Sequence, residues 1–476
     1  MPSRRTGAVA AIGATLALAP ALALRGFTVD DALISARYAA NLAHGAGYRF
    51  NAHGASTDGV TPLGWPLLLA PFAGHGPLAA LLAAKILGVI AWTIAAAVLA
   101  VAIDRVDGKR ARYVALALLA ASAPLGAWSV AGMETGLVIA LAALAAGLGR
   151  LGHARASAAF AGISAAMRPE MIPWAAVVSL APPPRRSAAA SRRPWDRALR
   201  GALALGPPVA VALIRLAIFG RAAPLSILAK PSDEMLGARY ALACFLLTGP
   251  LALIAPLAWR RLDGFARVLL ISIGVHFAAI AVAGGDWMPL SRLAAPVLPA
   301  VVLLAAEIAA VADLRLTAAR ILVALAGEIF QLVKVGPAAA HVTEDRVALI
   351  DELRGPLAGA KAIAALDIGW LGAATDATIV DLAGLTDPAI AVLPGGHTSK
   401  AIPAQLLEAR GVDTLVLQVR EGEARREPWT TTYFGRNVEL RLARIPGMGE
   451  TFHVEAESTA PHLHYVVLAR TVESKD

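Results

Sequence analysis

The sequence predicts a polytopic α-helical membrane protein of about eleven crossings with a small C-terminal α/β domain on the outer side, and three features predict it. Hydrophobic residues make up 57% of the 476-residue chain and charged residues only 16%, which is more apolar than a soluble chain of this length usually is. Long apolar runs follow one another until about Gly336 and then stop. Basic residues gather in alternate short loops between those runs.

The runs come in order at Ala8 to Leu24, Leu78 to Ile103, Tyr113 to Ala131, Thr135 to Leu148, Ala202 to Phe219, Ala241 to Trp259, Val268 to Val282, Leu293 to Val311 and Ile321 to Val335. Each reaches or nears the length that crosses about 30 Å of hydrocarbon at about 1.5 Å per residue. A further stretch, Ala156 to Leu180, has basic loops on both sides, so it must enter and return. Its midpoint is Arg168-Pro169-Glu170, and its halves are short, which predicts two tilted helices or a re-entrant pair with a charged tip in a protein-lined cavity.

Orientation follows from Arg4 and Arg5 and from the clusters at Arg105 to Arg112, Arg150 to Arg155, Arg185 to Arg200, Arg260 to Arg267 and Arg315 to Arg320. Cytoplasmic loops are enriched in Lys and Arg, so the N-terminus is expected inside and the C-terminus outside. The same clustering assigns the net charge of +9 to membrane topology rather than to nucleic acid. A first run ending in Ala21-Leu22-Ala23 also admits a cleaved signal peptide. Cys244 is the single cysteine, which excludes a disulfide framework and a cysteine metal site.

The expected division is a membrane module over 1–336, with a first external loop over 26–76, and an outward soluble domain over 337–476. Short apolar runs at Ala362 to Leu366, Thr378 to Leu382, Thr414 to Val419 and Tyr465 to Ala469 read as strands, and Ala401 to Arg410 as a helix ending at Gly411. The Pro182 to Pro194 loop is of low complexity, and no repeat of solenoid length is present.

Chemistry concentrates in the first external loop, the longest between two spans. It opens with Asp30-Asp31 directly after the first run and continues as a helical pattern whose spacing puts Asp30, Arg37 and Asn41 on one face. A carboxylate at a helix N-terminus suits a general base or a metal ligand, although Asp30 could instead merely cap the helix. Cations on the outward side cost free energy near a membrane unless partnered, and these are Arg37, Arg168, Arg215, Lys230 and Arg292. Lys230 is the first choice for a phosphate, with interfacial snorkelling as the alternative. Arg292 either contacts substrate or pairs locally with Asp286, and Arg215 would be satisfied by Glu134 or Glu170. Tyr38, Trp65 and Trp287 could stack on a ligand or lipid, or anchor at the interface. His44, His53 and His75 have no metal-binding spacing. A divalent cation on Asp30 and Asp31 is compatible with their oxygen ligands. No Walker loop or dinucleotide fingerprint is present, which argues against an ATP-driven pump.

The stretch Asp30-Asp31-Ala32-Leu33-Ile34, Arg37-Tyr38-Ala39, Asn41-Leu42, Gly45-Ala46-Gly47, Phe50-Asn51 and Asp58 to Trp65 resembles the first external loop of polytopic C-type (GT-C) glycosyltransferases, nearest to the terminal arabinofuranosyltransferase-like group. Gly132-Met133-Glu134-Thr135, Arg168-Pro169-Glu170, Pro224 to Lys230, Gly284-Gly285-Asp286-Trp287-Met288, Arg292 and Pro296 agree, as do Asp367-Ile368-Gly369 and Val380 to Asp387. The resemblance implies a sugar donor on polyprenyl phosphate, a glycan or glycolipid acceptor, and a site on the outer face of a bacterial-type inner membrane. It implies that an aspartate of the first loop is the catalytic base, here Asp30 or Asp31 with Asp30 the first choice. It further implies substrate contacts from Arg37, Tyr38, Asn41, Glu134, Arg168, Glu170, Lys230, Asp286, Trp287 and Arg292. Arabinofuranose is the sugar suggested by the nearest group, and mannose would use a similar scaffold. A flippase for lipid-linked sugar and a non-catalytic envelope-assembly protein are the alternatives from other classes.

Overall fold

The computed structural model describes residues 4–184, 194–230, 233–248, 251–460 and 463–471. Residues 185–193 of the low-complexity basic loop and 249–250 of the Ala241 to Trp259 run lie outside the described residues.

The chain begins with α1 (Arg4–Ala23) and α2 (Asp30–Ala43), followed by α3 (Gly64–Leu69) and α4 (Pro77–Asp104). Next come α5 (Lys109–Ala121) and α6 (Ala123–Val130), bent by 48° where Pro124 enters the first turn of α6. α7 (Thr135–Arg150), α8 (Ala154–Met167) and α9 (Ile172–Ser179) follow. α10 (Pro194–Phe219), α11 (Leu225–Ala229), α12 (Glu234–Thr248), α13 (Leu251–Ala258), α14 (Gly264–Val282), α15 (Leu298–Val311) and α16 (Leu314–Arg354) complete the helical part.

Among the described residues α1, α4, α10, α14 and α16 are long and apolar enough to cross a membrane, or six spans if α5 and α6 count as one. The remaining apolar runs fold as the shorter α7, α8 with α9, α12 with α13, and α15, so length and composition support five or six crossings and do not reach eleven. On α4, Leu82, Ile86, Ile90 and Ile94 recur every four residues and are 49–60% exposed. Such a continuous aliphatic stripe is costly in water and costs nothing against lipid tails. Val209, Leu213 and Leu216 make a similar stripe on α10. The Ala156 to Leu180 stretch folds as the pair α8 and α9, broken at Arg168-Pro169 because a residue before proline is driven to extended backbone.

Two compact units emerge, Met1–Thr28 with Ala84–Ile214 and Ser232–Ala340, and Val29–Ala83 with Arg215–Pro231 and His341–Asp476. The second unit therefore takes in α2 and α3 of the first external loop together with the C-terminal sheet. The polarity change at Gly336 is not a break in the backbone, since α16 runs on past Pro337 to Arg354.

In the second unit β1 (Ala362–Ala365), α17 (Ile368–Ala374) and β2 (Thr378–Asp381) form a parallel crossover. After α18 (Pro388–Ala391) and α19 (Ala404–Ala409) comes β3 (Thr414–Gln418), parallel to β1. α20 (Asn437–Ala443) and α21 (Met448–Thr451) lead into β4 (Phe452–Glu457) and β5 (Tyr465–Arg470), an antiparallel pair closing the order β2-β1-β3-β5-β4. The expected strands are β1, β2, β3 and β5. The edge strand β4 escapes the sequence pattern because His453, Glu455 and Glu457 give it a charged outer face and a bulge interrupts its pairing. The expected helix at 401–410 is shortened to α19, entered from Pro403 and ended by Gly411 at φ +63°.

Candidate functional site

The acidic start of α2 is bound to one short helix. α17 has seven residues, and its N-cap residue Asp367 turns away to accept a hydrogen bond from the Tyr465 hydroxyl at 2.7 Å. The acceptor that its free N–H groups need comes from Asp30, to which Gly369 N donates at 2.7 Å and Trp370 N at 2.9 Å. Arg346 Nη1 donates to the same carboxylate at 2.9 Å. At the other end of α17, Arg37 donates to the carbonyls of Gly372, Thr375 and Ala377 at 3.2, 3.0 and 3.1 Å. Asp30 and Arg37 stand two helical turns apart on one face of α2, the span of a two-turn helix beside it. Each carries the charge that complements the dipole at its end of α17.

Glycine makes this approach feasible. A Cβ at Gly369 would lie 2.0 Å from the Asp30 carbonyl oxygen, and one at Gly372 would lie 2.6 Å from Arg37 Cδ. Burial pushes the Asp30 carboxyl up to about 6 against the opposing pull of Arg346, with Asp367 adding to the rise. Burial likewise lowers the Arg37 guanidinium to about 10, which leaves it charged at neutral pH. With three donors already on its oxygens, Asp30 is occupied by the architecture. Asp31, the next residue and about 100° around the helix, remains partly exposed.

Asn41 holds the same loop from inside, donating to the carbonyls of Arg49 at 2.8 Å and Phe50 at 2.9 Å, and Arg37 Nε donates to Phe50 as well. Tyr38 is fully buried, shares a hydrogen bond with Thr57 Oγ1 at 2.8 Å and accepts one from Gly59 N at 3.1 Å. Trp65 is 1% exposed. Both rings are enclosed in this structure rather than open to a ligand or to the interface: a loop of this length needs its own core, and these aromatics supply it. For Arg215 the expectation is corrected. Its partner is Asp58, with Nε to Oδ2 at 2.8 Å, and its Nη2 donates to the carbonyls of Val60 and Thr61. The residues expected to satisfy it, Glu134 and Glu170, are both used by Arg168. Lys230 follows α11, partly exposed and without an ion pair among the described residues.

In the first unit Arg168, at the break between α8 and α9, donates from Nη1 to Glu134 and from Nε to Glu170, both at 2.7 Å. The two ring nitrogens of His276 face the carbonyls of Glu170 at 3.2 Å and Leu293 at 2.8 Å. His276 is not visible as a site residue in the sequence, because it sits in an apolar run with no adjacent polar residue to mark it. Asp286 accepts from Arg292 Nε at 2.5 Å, the local pair that their spacing offered as one reading. Trp287 is 60% exposed and so retains a face for a ligand. Glu134 Oε2 and Thr135 Oγ1 are buried without a hydrogen-bond partner among the described residues, an open acceptor and hydroxyl beside a charged centre. Among the described residues no three His, Cys, Asp or Glu side chains converge as a metal set.

Residues 340–460 match the family model described as "Domain of unknown function (DUF8728)". The matched stretch holds Arg346, α17 and its two close-packed glycines, while Asp30 and Arg37 lie outside it. No curated protein matches the chain.

Proposed function

We propose that the chain is a membrane glycosyltransferase that moves a sugar, arabinofuranose being the first candidate, from polyprenyl phosphate to an envelope glycan or glycolipid on the outer face of a bacterial-type inner membrane. The observation that carries this reading is the placement of Asp31. It sits in the first turn of a helix that begins within seven residues of α1, and its neighbours Asp30 and Arg37 are locked onto α17. A partly exposed carboxylate on a rigid support is what a general base for an alcohol requires.

In this mechanism Asp31 takes the proton of the acceptor hydroxyl as its oxygen bonds to the anomeric carbon. The bond from that carbon to the phosphate oxygen breaks, and the charge passes to polyprenyl phosphate. Lys230, a compact cation following α11, stabilises the departing phosphate. Asp30 acts as a positioning residue. The alternation of basic loops supports a count of eleven with the N-terminus inside, in which α8 and α9 enter and return as a pair.

The test is release of polyprenyl phosphate from a panel of polyprenyl-phosphate sugars, with purified protein and an envelope glycan extract. Acceptor-dependent release with at least one donor supports transfer, and none with any donor removes the reading. A flippase is the second reading, favoured by the unpartnered Glu134 oxygen beside Arg168. It requires donor movement across vesicles without release of the phosphate.

A further inference from the structure

A cavity of about 190 Å³ lies between α1, α4 and α5, built from one end of each helix. Its lining is divided. Asp104, Lys109, Arg112 and Tyr113 form one end, and Val9, Ile12, Ala100 and Leu116 carry the wall one to two turns deeper. Asp104 accepts from Arg112 Nη1 at 3.1 Å and from Arg5 Nη2 at 3.3 Å, so one carboxylate answers two guanidiniums. Lys109 is exposed and has no ion pair among the described residues, and Arg112 Nε is buried without a hydrogen-bond partner. The first turn of α5 contains no acidic residue, and its N-cap Gly108 supplies no side-chain acceptor. Basic side chains at the positive end of a helix dipole repel it, and an anion at that point relieves both.

We propose that this cavity binds the phosphate headgroup of an anionic lipid from the leaflet that meets the start of α1. The charge excess selects the phosphate, while the apolar half selects an acyl chain rather than a free ion. Ile12 is 50% exposed at that wall, and α1 and α4 are both long and apolar enough to cross a membrane, so an acyl chain there continues into the surrounding lipid. Tyr113, 70% exposed at the mouth, stands where aromatic side chains meet the headgroup layer.

The experiment is native mass spectrometry of the full chain in detergent, with phosphatidylglycerol and phosphatidylcholine supplied in equal amounts. The wild type should retain one phosphatidylglycerol in preference to phosphatidylcholine. Lys109→Gln should weaken that retention about fivefold, the contribution of one cation near an anionic surface, whereas Lys109→Arg preserves it. Ile12→Trp, which fills the apolar half, should lower retention of both lipids. Inorganic phosphate at millimolar concentration should not displace the lipid. Equal retention of the two lipids, an unaltered Lys109→Gln protein, or displacement by phosphate alone, which marks a free-anion site, would each overturn the proposal.

Discussion

Replacing Asp30 by alanine should open α17 at its N-terminal end while leaving the rest of the sheet in place. The substitution removes the acceptor for Gly369 N, Trp370 N and Arg346 at once. Stranding one member of a buried ion pair costs about 3–5 kcal/mol. Burial already penalises the Asp30 charge, as its rise to about 6 shows, so the lower end applies. About 3 kcal/mol is about a hundredfold in the opening equilibrium, at 1.4 kcal/mol per decade. Hydrogen–deuterium exchange of a peptide covering 366–376 reads this directly, because it contains the two amides that Asp30 accepts. The sign with pH is fixed as well. A carboxyl raised in the folded state binds its proton on folding, so this contribution to stability is complete below about pH 4 and is lost as pH rises through 6. The alanine variant lacks that slope, and its deficit is therefore widest at the acid end. Exchange within threefold of wild type at neutral pH would refute the claim that Asp30 holds α17.

Gly369→Val should produce the same local opening without touching a charge, because its Cβ would meet the backbone oxygen of Asp30; the same peptide reports it. Removing Asp58 should destabilise the second unit by about 3 kcal/mol or more, measured by thermal unfolding, while the paired change Asp58→Leu with Arg215→Met costs less because no buried charge is stranded. Burial raises Glu439 to about 8 and Asp381 to about 6, so both add stability as pH falls toward 5. Glu439→Gln should flatten the melting profile between pH 5 and 8 by up to about 1.4 kcal/mol per pH unit.

The apolar runs, the basic loops and four of the five strands were legible because each is a local pattern read within about twenty residues. The number of crossings was less so. Pro124 and Pro169 divide apolar stretches into short helices, and a hydropathy window does not distinguish a crossing from a broken one. At the site, the acidic pair and the α2 face were visible in sequence, but their use was not. The partner of Asp30 and Arg37 is more than 300 residues away, and the pairing depends on Gly369 and Gly372 leaving room. A separation of 157 residues likewise hid the partner of Arg215. A lone cation in an apolar run demands a carboxylate, but which of several candidates answers it is decided by tertiary packing. The burial of Tyr38 and Trp65 was not legible, because an aromatic in a long loop looks alike in sequence whether it faces a ligand or the loop's own core.

The identity of the base is decided by donor binding and sugar transfer measured side by side for wild type, Asp31→Asn and Asp30→Asn. Asp31→Asn should bind the polyprenyl-phosphate sugar as wild type does and lose about a hundredfold or more in transfer, the usual contribution of a general base. Asp30→Asn should lose transfer only in step with the loosening of α17 seen by hydrogen exchange. Undiminished transfer by Asp31→Asn, with donor binding intact, would show that Asp31 is not the base.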